Sequence, residues 1–290
     1  MARKLGQAAK KSTMLGFRAA LVCAGAAGVV LGLILIRNLS SNAVRDDDRF
    51  TIPFGEITCT TPPEYIELGT FLTEVQYLSG SPDRVHMLED NLPTRLADAF
   101  KRHPWVERVE RVEILPDRQV SVTLTYRVPV LAVVAKSHVP ETYAGNRTRS
   151  SRSVDGHGVL LPATAPLARL PILAGKFSEP RGGAGTLWSD AVVRSAARIA
   201  AYLTPHQDRL RLYVFENHGS EFVLKTAAGS RVVWGRGVGQ EDAEEALAAE
   251  KLDRLLRYCL HNGSLDGPEC CYEHNVREHA RFSHERIVSK

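Results

Sequence analysis

The stretch "HPWVERVERVEILPDRQVSVTLTYRVPV", residues 103–130, holds two hydrophobic patterns side by side. In its second half Val120, Val122, Leu124 and Tyr126 alternate with Ser121, Thr123, Thr125 and Arg127, the period of a half-buried strand. In its first half Val106, Val109 and Val112 recur every three residues among Glu and Arg, a spacing that a helix could also give. The prolines decide between the two. Pro104 pushes the residue before it toward extended geometry, and Pro116-Asp117 marks a turn. The segment between them is short for a helix and rich in β-branched residues. It is read as a strand, with a bulge that could bring both Val109 and Val112 to the core side.

Upstream, "FTIPFGEITCTT" (50–61) is β-rich, with a proline suited to an edge position. "PPEYIELGTFLTEVQYL" (62–78) places Ile66, Leu68, Phe71, Leu72, Val75 and Leu78 near helical spacing. After a turn at 79–83, "VHMLEDNLPTRLADAFKRH" (85–103) gives a second helical pattern, with Pro93 suited to the first turn. The expected order is β–α–α–β–β, two helices covering one small sheet in an α+β layer.

Downstream, "GNRTRSSRS" (145–153) reads as a polar loop and "VDGHGVLLP" (154–162) as a hairpin with Asp155-Gly156 at its tip. "LPILAG" (170–175) is a short strand, and residues 187–205 form an amphipathic helix. "LRLYVFE", "EFVLKTA" and "SRVVWGRG" are successive strands. A helix is expected over 240–261, acidic at its start and basic near its end, as the macrodipole favours. The last residues are irregular, with one strand near "NVREHARFSHERIV" (275–288).

The net charge is +4, but Arg3, Lys4, Lys10, Lys11 and Arg18 carry all of it and more, with no acid before residue 19. The body is close to neutral, so no basic footprint for nucleic acid stands out. Residues 19–36, "AALVCAGAAGVVLGLILI", lack any charge. At 1.5 Å per residue they would rise about 27 Å, close to a hydrocarbon core. A single transmembrane helix is expected there, with the N-terminus cytoplasmic and the later residues on the far side. A buried helix and a cleaved signal peptide are the alternatives.

The ordered motifs resemble those of the bacterial cell-division protein family FtsQ, called DivIB in other lineages. "HPWV" (103–106), "LPD" (115–117) and "YRVPV" (126–130) resemble the signature of its POTRA domain. "VDGHGVLL", "LPILAG" and "WGRG" followed by "EKLDRL" resemble elements of its β-domain. The resemblance implies a cytoplasmic tail (1–18), a transmembrane helix (19–36), a linker (37–49) and a POTRA domain (50–132). A mixed β-domain with two flanking helices (133–265) and a C-terminal tail with one possible edge strand (266–290) would follow. It further implies a protein without enzymatic activity or cofactor, in the inner membrane at the division septum. Such a protein would recruit FtsB-like and FtsL-like partners and septal synthase components. The family binds these partners along its last strand, which would bring in Tyr272, Val276, Arg277 and Phe282; Arg111 would belong to a second contact on the POTRA domain. The sequence departs from the family at Arg111, where an apolar residue is usual, in an acidic insertion, "VGQEDAEEALAA", and in the tail. A POTRA protein of secretion or outer-membrane assembly, and an anchored metal-binding protein, are the competing readings.

The metal reading comes from Cys259, His261, Cys270, Cys271 and His274, with His279 and His284 beyond them. Structural zinc sites favour cysteines paired two to four residues apart, and these are adjacent or far apart, so no metal is expected. "GRGVGQ" (235–240) does not fit a phosphate loop, and Asp155 with His157 lacks a nucleophile at usable spacing. Trp105 is expected to pack between helix and sheet.

Overall fold

The computed structural model describes residues 28–33, 50–134, 151–175, 177–267, 271–278 and 282–287. The first part of the chain runs through strands β1 (Thr51–Pro53) and β2 (Thr58–Cys59), helix α1 (Leu68–Ser79), strand β3 (Arg84–His86) and helix α2 (Leu92–Lys101). Strands β4 (Val106–Leu115) and β5 (Gln119–Tyr126) complete it. β5 lies between β2, to which it is parallel, and β4, to which it is antiparallel.

The threefold spacing of the valines follows from the register of β4. Val106 stands opposite Tyr126 and Arg108 opposite Thr125, so Glu107 is an extra residue; Val109 faces Leu124 and Arg111 faces Thr123, so Glu110 is another. Each extra residue is a bulge that adds one to the ordinary period of two. Val106 is buried, and Val109 and Val112 pack partly buried on the same core. Arg111 is left on the solvent side, paired with Glu113 at 2.6 Å.

The expected order of elements needs correction. The first part reads β–β–α–β–α–β–β, because residues 50–61 divide at a 3₁₀ turn (Phe54–Glu56) and residues 84–86 are strand, not helix. Val85 is buried opposite Ile52 in the two-stranded β1–β3 sheet, and the helix starts only at Leu92, with Pro93 in its first turn. α1 ends where Gly80, at φ +65°, donates back to the last turn. Phe71 of α1 and Phe100 of α2 are fully buried between helices and sheet, each contributing roughly 2–3 kcal/mol of transfer free energy.

The second part forms one eight-stranded mixed sheet. Its strands are β6 (Leu131–Val134), β7 (Ser151–Val154), β8 (Ile172–Ala174), β9 (Leu212–His218), β10 (Glu221–Thr226), β11 (Arg231–Gly235), β12 (Tyr272–Asn275) and β13 (Ser283–Arg286). They lie in the order β13-β12-β11-β10-β9-β8-β6-β7. Helix α3 (Ala191–Leu203), the short α4 (Gln207–Leu210) and helix α5 (Ala248–Asn262) share one apolar core with this sheet around Trp188 and Trp234. Asp190 caps α3 by accepting from Val192 N. Three local readings change here. Residues 151–153 are strand rather than loop. The tail supplies two strands rather than one. The acidic residues before Ala248 are not helical, because Glu245 is buried and Ala246 N is bonded to Arg277 O.

The expected membrane-spanning helix is also corrected. No helix among the described residues is long and apolar enough to cross a membrane. Of residues 19–36 only 28–33 are described, and they form a helical stretch rising about 9 Å. Residues 19–27 and 34–36, the tail (1–18) and the linker (37–49) lie outside the described residues.

The family-like motifs converge where the two cores meet. Arg127 N donates to Trp105 O at 2.8 Å, and the Arg127 guanidinium pairs with Asp155 at 2.5 Å. The other Asp155 oxygen accepts from His157 N and Val159 N at 2.9 and 2.8 Å. Leu161 and Ala165, just past that turn, belong to the first core. "HPW", "YRVPV" and "VDGHG" are thus parts of one joint.

Candidate partner-binding edge

Among the described residues four strands stand at the ends of the two larger sheets: β2, which is only two residues long, β4, β7 and β13. An edge can accept an extended segment only if its backbone is straight and open. β4 is neither, since two bulges twist it and Glu107, Arg108, Glu110, Arg111 and Glu113 line it. Its first bulged residue, Glu107, also contacts His157 at 3.3 Å. β13 has no register shift against β12, and its side chains are largely exposed. Ile287 N bonds to Cys271 O, so by antiparallel alternation the N–H groups of Arg286 and His284 point away from β12.

The C-terminal candidates gather at this end of the sheet, but not as one open edge. Val276 is fully buried, and its N–H donates to Val233 O at 3.3 Å. Arg277 pairs with Glu221 at 2.8 Å while its carbonyl accepts from Ala246 N at 2.7 Å. Glu278 bridges Glu245 in antiparallel fashion, and Arg254 donates to the carbonyls of Val276 and Glu278. Residues 276–278 are therefore already covered by the acidic segment. Tyr272 and Phe282 join a cluster of rings with Tyr258, His274 and His284, at centroid separations of 4.6–6.3 Å. Arg111 lies in the other sheet.

Beneath the acidic segment lies a clasp that sequence reasoning missed. Glu245 Oε1 accepts from Lys251 Nζ at 2.5 Å and from Arg236 N at 2.7 Å, with both side chains fully buried. Lys251 Nζ also stands 5.1 Å from the Trp234 ring centroid. Burial pulls the Lys251 pKa below its ordinary value, and Glu245 opposes that shift. The signal was present in the acidic insertion ahead of "EKL", but nothing in the spacing showed which acid turns inward.

The metal candidates are not brought together. Cys259 is in the core, its thiol pushed up by burial. His261 is exposed on α5 with Nδ1 at Arg257 O, and Cys271 Sγ donates to Ala228 O. His274 is buried, with Nε2 bonded to Leu265 O at 2.8 Å, and Cys270 lies outside the described residues. Among the described residues no group of three or more His, Cys, Asp or Glu side chains is placed to hold a metal. Trp105 is buried against Tyr65. Asp155 is spent on the joint, while His157 is exposed.

No family model and no curated protein matches the chain. The assignment of a role rests on the site itself and on the motif resemblance.

Proposed function

We propose that this protein is a non-enzymatic scaffold of the FtsQ/DivIB type. It would gather FtsB-like and FtsL-like division proteins at the cell envelope and link them to septal wall synthesis. The observation that carries the reading is the outer edge of β13, a regular strand closing an eight-stranded sheet whose far-side N–H and C=O groups pair with no strand among the described residues. β-augmentation uses such groups directly, and flanking side-chain pockets add selectivity. The bulged and charged β4 leaves this edge as the better platform. The convergence of three family-like motifs at the Arg127–Asp155 joint supports the same assignment.

Proline at Arg286 tests it. Arg286→Pro removes an outward-facing donor while leaving the ladder to β12 intact, as an edge tolerates. The expected outcome is loss of co-purification with FtsB-like and FtsL-like partners and an unchanged melting temperature. Co-purification at the level of the unsubstituted chain removes the β13 edge from consideration.

A further inference from the structure

β13 is only four residues long, and beyond the ladder its His284 ring meets Tyr258, Tyr272 and Phe282. His284 stands directly across the ladder from His274. Around this pair Tyr258 comes from α5, Tyr272 from β12 and Phe282 from the chain just before β13. The Tyr258 and His274 centroids are 4.6 Å apart, and Phe282 stacks on His274 at 6.2 Å and 8°. His274 is fully buried. Its Nε2 faces the Leu265 carbonyl and so carries the proton, while Nδ1 is buried with no hydrogen-bond partner among the described residues. A second proton on this ring would place an N–H and a charge where no acceptor waits.

We propose that β13 is a proton-sensitive strap. Neutral His274, packed against His284 and its ring neighbours, holds it over the β12 edge, and a second proton on His274 releases it. The groups acting on His274 are named by element. From β13 comes His284, which is exposed. From the turn after α5 come the Leu265 carbonyl and Asp266, whose carboxylate is already engaged by Thr226 Oγ1 at 2.5 Å. From α5 comes Tyr258. β11 supplies Val232, the apolar register partner of His274. Burial and the His284 charge hold the His274 pKa below its ordinary value, against the Leu265 hydrogen bond and Asp266. The folded pKa lies below the unfolded one, so the strap's stability is complete above the ordinary imidazole range. It is lost as pH falls through the lowered value. Release takes the outer edge of β13 out of the sheet and so withdraws the platform for an incoming extended segment. That consequence rests on the edge reading given above; the release itself does not.

Hydrogen exchange on the full chain tests the strap without any partner. Protection of the β12 and β13 amides is compared at about pH 7.5 and about pH 5.5, corrected for intrinsic exchange, with β9 and β10 as reference strands. The expected result is a loss of protection of about tenfold or more, confined to β12 and β13, at the lower pH. His274→Gln keeps an amide donor in reach of Leu265 O and cannot charge; its protection should stay the same at both values. Equal protection of the unsubstituted strap at both pH values overturns the proposal, as does a pH-dependent loss that survives in His274→Gln. The His274 ring resonance in the unsubstituted chain gives a check that needs no variant. Its titration midpoint must coincide with the midpoint of release, and a ring that titrates while β13 stays protected overturns the proposal. A pH-insensitive strap sinks this inference alone, whereas intact co-purification of Arg286→Pro sinks the edge reading.

Discussion

Gly235 sits at φ +87°, and a Cβ added there would stand 2.1 Å from Glu245 Oε1. Both facts demand glycine: the conformation is strained for any other residue, and the space belongs to the carboxylate. Gly235→Ala should therefore both strain the end of β11 and push Glu245 off Lys251. The expected cost is about 3 kcal/mol or more, read as a lower denaturant midpoint. Glu245→Ala tests the clasp from the other side. It leaves Lys251 buried without its counter-charge, at an expected cost of about 3–5 kcal/mol, and adding Lys251→Met should recover most of that loss. The pH dependence has a definite sign. Folding lowers the Lys251 pKa, so between that lowered value and about 10.4 the unfolded chain holds more protons. Stability from this group then rises with pH. Removing Glu245, which opposes the lowering, deepens it and widens the window downward. The gap between Glu245→Ala and the unsubstituted chain should accordingly narrow as pH rises from the variant's lowered Lys251 value to that of the unsubstituted chain, and stay level above it. Denaturation curves that stay a fixed distance apart would rule this out.

At the scale of elements, β4 shows how a strand can carry a helix-like spacing. Because Glu107 and Glu110 are extra residues, the core sees Val106, Val109 and Val112 in succession, while the bulges and charges blunt the edge. Deleting Glu110 converts Val109–Arg111–Val112 to plain alternation, with both valines still facing inward. The variant should fold with a change within about 1 kcal/mol. Its straightened edge should self-associate more readily, seen as a higher sedimentation coefficient at raised concentration. Deleting Thr123 from the unbulged β5 gives the contrast. It throws Val120 and Val122 onto the face opposite Leu124 and Tyr126, at a cost on the order of 3–6 kcal/mol. β5, α2 and α3 are legible in the sequence, because their apolar periods are clean and Pro93 marks the first turn of α2. β3 was not legible: its three residues have no period of their own, and Val85 is buried by pairing with Ile52, far along the chain. The start of α5 was misread for the same reason. Local charge and propensity favour helix from residue 240, but the backbone at Ala246 is claimed by Arg277. The end of the sheet was sensed as a strand edge, while its location depended on a parallel pairing of β12 with β11 that no local pattern encodes.

At the scale of the whole molecule the two cores meet at the largely hidden Arg127–Asp155 pair, with the more exposed Glu107–His157 contact beside it. Arg127 leaves the end of β5 and Asp155 opens the turn after β7, so the pair ties the exit of the first sheet to the edge of the second. Tyr65 OH also donates to Arg127 O at 3.4 Å, and Gly185 packs on Pro104, so the loop before α3 leans on the same place. Both charged groups are largely hidden, and breaking one partner leaves the other desolvated. Asp155 has a second duty, accepting from His157 N and Val159 N, that Arg127 does not share. The two single substitutions should therefore be unequal. Asp155→Ala, which strands Arg127 and two backbone donors, should cost about 4–5 kcal/mol. Arg127→Met, which leaves Asp155 with its backbone donors, should cost about 2–3 kcal/mol. The double variant should cost less than the sum of the two by at least about 1 kcal/mol, since the groups act as a pair. Because the contact joins two cores, the loss in Asp155→Ala should also appear as a change in cooperativity. The single calorimetric transition expected of the unsubstituted chain should broaden toward two, with the first core and the eight-stranded sheet melting apart. Additive single costs together with one sharp transition in every variant would show that the pair is a local turn contact and that the joint is held by its apolar packing alone.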